Sequence, residues 1–289
     1  MNRWLAGARP RTLPAAVVPV FVGTACAAAE VDRLIVWRAL AALIVALAIQ
    51  VATNYANDYS DGIRGTDDAR VGPVRLVASG LAAPVSVKRA AFVAFGVAGV
   101  AGLALSIAVG PQLLVVGAAS MAAGWFYTGG PRPYGYAGLG ELFVFVFFGL
   151  VATVGSPYVQ TAHLHGLEFV AAVPVGLLAV ALLVVNNLRD IPGDTVAAKR
   201  TLAVRLGDAR TRAFYVGCIG VAFVGVAAVG ADRTGGLLAL LALPLAARPA
   251  RRVLGGASGS ALIPVLGDTA RLQLVAGLLL TVGVLLGHR

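Results

Sequence analysis

Two clusters of amide and carboxylate side chains interrupt an otherwise oily chain: Asn54, Asn57, Asp58 and Asp61 in NYANDYSDG, and Asn186, Asn187, Asp190 and Asp194 in NNLRDIPGD. An ionised side chain in hydrocarbon costs at least about 2.5–3.5 kcal/mol, so repeated acids at the ends of apolar helices mark a functional site by default. Positions 54, 58 and 61 are four and three apart, and 57 and 61 are four apart, a spacing that turns them toward one helix face. Asp190 and Asp194 repeat the spacing of four, with Asn186 one turn earlier, and Pro192 with Gly193 predicts that this helix ends or changes shape there. Facing carboxylates repel unless a cation lies between them. Hard oxygen ligands select Mg2+, which keeps several waters and prefers one or two carboxylates plus phosphate oxygens, so the pattern points to a metal-bridged diphosphate. Asparagine adds neutral oxygens without adding repulsion.

The loops after each cluster fit that chemistry. Arg64, Asp67, Asp68, Arg70 and then GPVRLVASG with Arg75 follow the first; AAKRTLAVRLG with Lys199, Arg200, Thr201 and Arg205 follows the second. Arginine grips phosphate oxygens in bidentate fashion and lysine is a compact point charge. Most of these cations serve equally well as anchors at a membrane surface, but Lys199 and Arg200, so close to Asp194, are expected to touch phosphate. A third polar island, YTGGPRPYGYAGLGE, places Tyr127, Arg132, Tyr134, Tyr136 and Glu141 among turn-forming glycines and prolines. Tyrosines near a bilayer boundary commonly anchor the interface. Over an active-site mouth, their ring faces could also stabilise a carbocation, and Arg132 could pair with an anionic substrate.

The elements that must position these residues are membrane helices. Of 289 residues, 59% are hydrophobic and 12% charged, against roughly a quarter charged in soluble domains. Thirty-six glycines suit close helix packing in lipid. With about 20 apolar residues needed per crossing, nine spans are predicted, near 12–29, 34–57, 88–109, 111–128, 138–160, 167–187, 211–230, 235–254 and 269–287. The seam at Gly110 and Pro111 leaves one kinked element as an alternative to two helices there. On this assignment 19 of the 23 basic residues fall on the side of the N-terminus, and only Arg33, Arg38, Arg233 and Arg289 fall opposite. The positive-inside rule then places the N-terminus and both acidic clusters in the cytoplasm and the C-terminus outside, in a plasma-membrane protein. Arg3, Arg9 and Arg11 precede the first apolar run, which reads as a transmembrane helix because no soluble mature domain follows it.

The formal charge of +10 is not a nucleic-acid signal, since nine of the 13 acids share the cytoplasmic side with those 19 bases and the excess faces the anionic inner leaflet. Cys26 and Cys218 sit in apolar runs without metal or redox spacing, and His163, His165 and His288 form no metal cluster. Similar clusters on the second and sixth spans suggest two pseudo-equivalent four-helix halves plus a ninth helix, in one transmembrane domain over 1–289. No obligate protein partner can be deduced.

With both acidic motifs and the YTGGP segment in view, the chain resembles the UbiA-type membrane prenyltransferases, over nearly its whole length. NDYSDG from Asn57 and RDIPGD from Arg189 match the two family signatures. Within that superfamily, RPRTLPAAVVPVFVG, NDYSDGIRGTDD, GPVRLVASG and NNLRDIPGDTVAAKRTLAVRLG are most similar to the 1,4-dihydroxy-2-naphthoate prenyltransferases of menaquinone synthesis. One position departs: Gly65 stands where many members carry another aspartate, and Asp67 and Asp68 come slightly later.

The resemblance implies an all-α fold of nine helices around a central cavity, binding a polyprenyl diphosphate through Mg2+. Asp58, Asp61, Asp190 and Asp194 would hold the metal, with Asn54, Asn57 and Asn187 assisting and Asp67 or Asp68 contributing. Lys199, Arg132 and Arg200 would stabilise the leaving diphosphate, and Tyr127 and Tyr134 would line the substrate site. The acceptor ring attacks the allylic cation, then loses its carboxylate and a proton to give demethylmenaquinone. A long prenyl tail explains the membrane setting, because each buried methylene is worth about 0.8 kcal/mol. Other acceptors, such as 4-hydroxybenzoate, remain open at this point. So does an ion-coupled transporter, since membrane acids often line conduction paths, although acids at helix ends beside loop arginines look more like a phosphate site. A CDP-alcohol phosphotransferase fits poorly, because its aspartates lie within one short segment.

Overall fold

The computed structural model describes residues 2–66, 72 and 74–287. It is a helical membrane protein. The chain opens with a short helix α1 (Arg3–Ala8) and a 3-10 turn, then bends by 51° into α2 (Pro14–Ala28). The bend follows from sequence: Pro10 and Pro14 start new helical segments and Arg9 ends α1 in the left-handed region, φ 51°. α3 (Val36–Ile63) and α4 (Pro84–Val109) form an antiparallel pair, followed by α5 (Gln112–Phe126). The next span runs from Gly140 to Thr161 as α6 (Gly140–Val144), a π-helical segment (Phe145–Val151) and α7 (Ala152–Thr161). α8 (Gly166–Val196) is the longest helix; a short α9 (Leu202–Leu206) leads to α10 (Asp208–Asp232). A 3-10 stretch (Thr234–Ala242) continues into α11 (Leu243–Leu254), and α12 (Leu262–Leu286) closes the fold.

Among the described residues, six spans are long and apolar enough to cross a membrane, or seven if the bent pair of 3–12 and 14–28 counts as one. The other two of the nine expected spans are not single long apolar helices. α5 has 15 residues, because Gly110 and Pro111 separate it from α4 and the helix stops at Phe126. That seam is two helices rather than one kinked element. The segment from 234 to 254 is divided by Gly235, Gly236 and Pro244 into a 3-10 stretch and a 12-residue α-helix.

α8 also corrects an expectation. It runs through Pro192 and Gly193 to Val196. Proline costs most deep inside a helix, and here only one turn follows it.

The main apolar core lies where α2, α8, α10 and α12 meet, around Val18, Val22, Val184, Tyr215, Leu272 and Leu280. α4 and α5 turn Phe92, Val93, Val100, Ile107, Leu114 and Val115 outward, where lipid is their natural solvent. Helices α3 and α8, with 28 and 31 residues, reach about 42 Å and 46 Å at 1.5 Å per residue, so both outrun a hydrocarbon core about 30 Å thick. Their last turns, which carry the acidic clusters, therefore stand at one mouth of the bundle.

The π segment packs against α8 through Gly149 and Gly176. A methyl group built on Gly149 would lie 2.8 Å from the Gly176 Cα, so only hydrogen at both positions allows this approach.

Candidate active site

One cavity of about 850 Å3 joins the two acidic clusters to an apolar channel. Asn54, Asn57 and Asp61 line it from α3, and Asn186, Asn187, Asp190 and Asp194 from α8. Lys199, Tyr127, Tyr134, Tyr136 and Arg75 complete the polar mouth. Farther in, the walls are Phe143, Phe147, Phe148 and Val151, then Leu105, Leu113, Val116, Gly155 and Val159. Phe147 and Phe148 are adjacent in sequence yet both face the cavity, which the wider π turn permits.

Asp61 is the hub of the mouth. Its Oδ1 accepts from the Tyr136 hydroxyl at 2.5 Å and from Lys199 Nζ at 3.2 Å, and Arg75 lies 4.0 Å from Oδ2. The Lys199 ammonium also sits 4.7 Å from the centre of the Tyr136 ring, with the Arg64 guanidinium 5.5 Å from the same ring. Arg64 in turn donates to the carbonyls of Thr128 and Gly130, fixing the loop that carries Tyr127 to Tyr136. The backbone N–H of Arg200 donates to the Tyr136 carbonyl at 2.9 Å, tying that loop to the one after α8.

The other polar side chains are braced individually. Asn57 Oδ1 accepts from Thr128 Oγ1 at 2.8 Å, and Asn187 Nδ2 donates to buried Glu141 at 2.9 Å. Asn54 donates to the Ala8 carbonyl at 2.9 Å and to Thr12 Oγ1 at 3.1 Å, which seats the N-terminal elbow on α3. Arg189 holds Asp190 with two bonds of 2.7 Å and reaches Asn186 Oδ1 at 2.9 Å. Thr201 Oγ1 reaches Asp194 at 3.4 Å. The Tyr134 hydroxyl donates to the Ala123 carbonyl at 2.8 Å.

Three residues expected at the site are placed elsewhere. Asp58 does not line the cavity; it is fully buried, and its carboxylate accepts from the backbone N–H groups of Leu76 and Val77. At 100° per residue it lies about 60° around α3 from Asp61, whereas Asn57 and Asn54 lie within about 40°. Arg132, between Pro131 and Pro133, is exposed and outside the cavity lining. Arg200 is also exposed, because the left-handed turn at Ala198, φ 55°, sends Lys199 inward and its neighbour outward. Asp67 and Asp68 lie outside the described residues.

The cavity also contains residues given no site role from sequence: Arg9, Arg11, Thr12, Gln50, Thr128 and Arg189. Gln50 was legible, standing one turn before Asn54 on the same face. Arg9 and Arg11 passed as topological charges. No spacing marks Thr128, which is placed by its loop.

Burial and the neighbouring Asp61 carboxylate push the Tyr136 phenol above its ordinary value, and burial does the same for Tyr134. The protonated phenol is thus favoured in the folded protein. That contribution is complete below the free tyrosine value of about 10 and is lost only as pH rises through the higher folded value. Tyr136 is accordingly a donor to Asp61 throughout the physiological range. We expect Tyr136→Phe to lower turnover about tenfold by loosening Asp61, within the range for a charge-assisted hydrogen bond. In the parent protein the ultraviolet difference spectrum against this variant should show no phenolate signal up to pH 10. A Tyr136 phenolate forming near neutral pH would contradict this.

A helical membrane bundle with a large cavity that carries paired acids and cations at its mouth and an apolar channel behind it is built for an amphiphile with a charged head. The class is that of membrane enzymes acting on lipid-tailed anionic substrates. The chain belongs to the UbiA prenyltransferase family, whose pattern it matches over residues 16–261. It is 52% identical, across 94% of this chain and 93% of the relative, to a 1,4-dihydroxy-2-naphthoate octaprenyltransferase of Mycobacterium tuberculosis. It is 38% identical to the Escherichia coli protein of the same description, covering 99% and 96%. A solved UbiA homologue from Archaeoglobus fulgidus, bound to GPP and Mg2+, shares the fold with a TM-score of 0.66 at 14% identity, covering 96% of this chain and 99% of that one.

Proposed function

We propose that this protein transfers a polyprenyl group from a polyprenyl diphosphate to 1,4-dihydroxy-2-naphthoate with Mg2+, releasing diphosphate and carbon dioxide and giving demethylmenaquinone. The carrying observation is the continuity of a charged mouth with an apolar channel in one cavity. The activity named for the Mycobacterium tuberculosis relative supports the choice of acceptor.

The donor set fits Mg2+. The carboxylates of Asp61, Asp190 and Asp194 and the amide oxygens of Asn57, Asn186 and Asn187 are all hard oxygens on one cavity. Among the described residues, no three acidic, His or Cys side chains stand together at metal-binding spacing, so each ion would rest on one or two carboxylates with phosphate oxygens completing its shell. Bound Mg2+ supplies neutralisation of the diphosphate as its charge grows.

The chain's own groups do the rest. Lys199 and Arg75, beside Asp61, face the leaving diphosphate oxygen that takes the C–O bonding pair. Phe143, Phe147, Phe148 and Tyr134 line the cavity behind the charged mouth, where aromatic rings would stabilise positive charge on the allylic carbon. The apolar walls keep water from capturing that cation before the electron-rich ring attacks it. Arg9 and Arg11, on the rim formed by the N-terminal elbow, give the cavity a second cationic edge suited to an acidic acceptor.

We also propose that α5 and the segment 234–254 cross the membrane with the seven longer spans, making nine in one domain over 1–289. The two four-helix halves carry the acidic clusters at the cytoplasmic mouth, with the N-terminus inside and the C-terminus outside.

The deciding experiment offers one labelled prenyl diphosphate and a panel of aromatic acceptors to the purified protein. Decarboxylative coupling to 1,4-dihydroxy-2-naphthoate is expected; coupling only to 4-hydroxybenzoate or another acceptor would overturn the assignment. The channel makes a further prediction. Gly155 faces open space within it, so Gly155→Phe should leave turnover of a ten-carbon donor near normal and reduce that of a forty-carbon donor about tenfold. Equal effects on both donors would mean the tail does not pass Gly155.

A further inference from the structure

We infer that Asp58 is a positioning residue that fixes the turn after α3 and thereby aims Arg75 at the diphosphate, and that it is not a metal ligand. This rests on the diphosphate reading of the cavity. Asp58 lies one residue after Asn57 and three before Asp61, inside the acidic signature, yet it is 0% exposed and does not line the cavity. Each of its oxygens is already committed: Oδ2 accepts from Leu76 N at 3.0 Å, and Oδ1 from Val77 N at 3.2 Å. A carboxylate gripping two consecutive peptide N–H groups makes charge-assisted bonds to backbone, a fixed clamp across 18 residues of sequence. With both oxygens aimed at the 76–77 peptides and the side chain outside the cavity lining, the carboxylate is turned away from the space that Asp61 faces.

The clamped peptides adjoin Arg75. Its guanidinium is buried and 4.0 Å from Asp61, and the turn around it is closed by Ser79 N to Arg75 O at 3.0 Å and Ala82 N to Leu76 O at 3.0 Å. Leu76 is fully buried against Gly7 of α1 and Tyr55 of α3, and Val77 packs on Gly62. The turn is thus seated on apolar contacts, while the Asp58 carboxylate fixes its rotation. Since Arg75 precedes Leu76 directly, that rotation sets where the guanidinium points.

The test compares the full-length protein with Asp58→Asn, Arg75→Ala and the double variant. Asparagine keeps one acceptor oxygen, so the fold should survive while the clamp is halved. Asp58→Asn should raise KM for the prenyl diphosphate about tenfold, leave the Mg2+ concentration for half-maximal rate within about twofold, and add nothing to Arg75→Ala in the double variant. Hydrogen exchange should quicken at Leu76 and Val77 and stay unchanged along α3. A large shift in Mg2+ dependence at unchanged KM, full multiplication of the two single effects, or unaltered exchange at 76 and 77 would each overturn the proposal. If the parent protein transfers no prenyl group to any acceptor, the functional reading fails, and the exchange measurement still decides whether the clamp exists.

Discussion

Asp61→Asn should reduce prenyl transfer about a thousandfold, the upper range for removing one preorganised charge from a reacting site, and lower the unfolding temperature, because buried Lys199 loses its carboxylate. Asp61 is where the mouth's interactions converge: Tyr136 and Lys199 donate to it, Arg75 stands 4.0 Å away, and Asn57 shares its face of α3. On the proposed reading, removing its charge would take a hard oxygen from the Mg2+ shell, and it also releases Lys199 and Arg75 from the carboxylate beside them. Asparagine retains the size and one acceptor oxygen, so apolar packing is untouched. Diphosphate release at saturating donor and acceptor, with thermal unfolding in the same detergent, separates the two expectations. Near-normal Mg2+-dependent turnover would remove Asp61 from the chemistry.

Asp190→Asn should be equally inactive and likewise less stable, and here the structure revises what sequence suggests. From sequence, both acidic clusters serve only metal and substrate, so their loss should spare the fold. Asp190, however, is the partner of Arg189, whose side chain is fully buried and bonded to it twice at 2.7 Å. Breaking a buried pair by removing one partner typically costs about 3–5 kcal/mol, because the remaining charge is left uncompensated. A lower unfolding temperature is therefore expected for Asp190→Asn, and a recovery for Asp190→Asn combined with Arg189→Met, which removes the orphaned charge. Activity should return in neither. An unfolding temperature equal to the parent's in Asp190→Asn would show that Arg189 finds another partner.

The all-α membrane class, the two acidic motifs and the cavity-lining Lys199 were legible because each has a local signature: long apolar runs, charges spaced at three and four, and a cation beside Asp194. What was not legible depends on rotation and on loops. Asp58 has the right residue type and nearly the right spacing, but an offset of about 60° on α3 turns it to the Leu76–Val77 peptides instead of the cavity. Arg132 and Arg200 occupy turns in which neighbouring side chains point opposite ways, and nothing in their order says which faces in. Thr128 reaches the site through packing between distant segments, and Arg189 is turned in by its bonds to Asp190 and Asn186 on its own helix. α5 and the segment 234–254 read as full spans by hydropathy, while glycine and proline shorten or divide the helices they form.

The π segment between Phe145 and Val151 has a consequence for how this scaffold can be re-engineered. It accommodates one more residue than an α-helical path would need between the same neighbours. Deleting a single residue there lets the span close as an ordinary helix between the same neighbours, so both flanking halves keep their places while the side chains of the aromatic wall change register. Substitution changes one side chain at a time, whereas this deletion would redraw the outline of the reaction chamber in one step. Libraries seeking a different ring size are better begun by varying chain length between 145 and 151 than by exchanging the phenylalanines themselves.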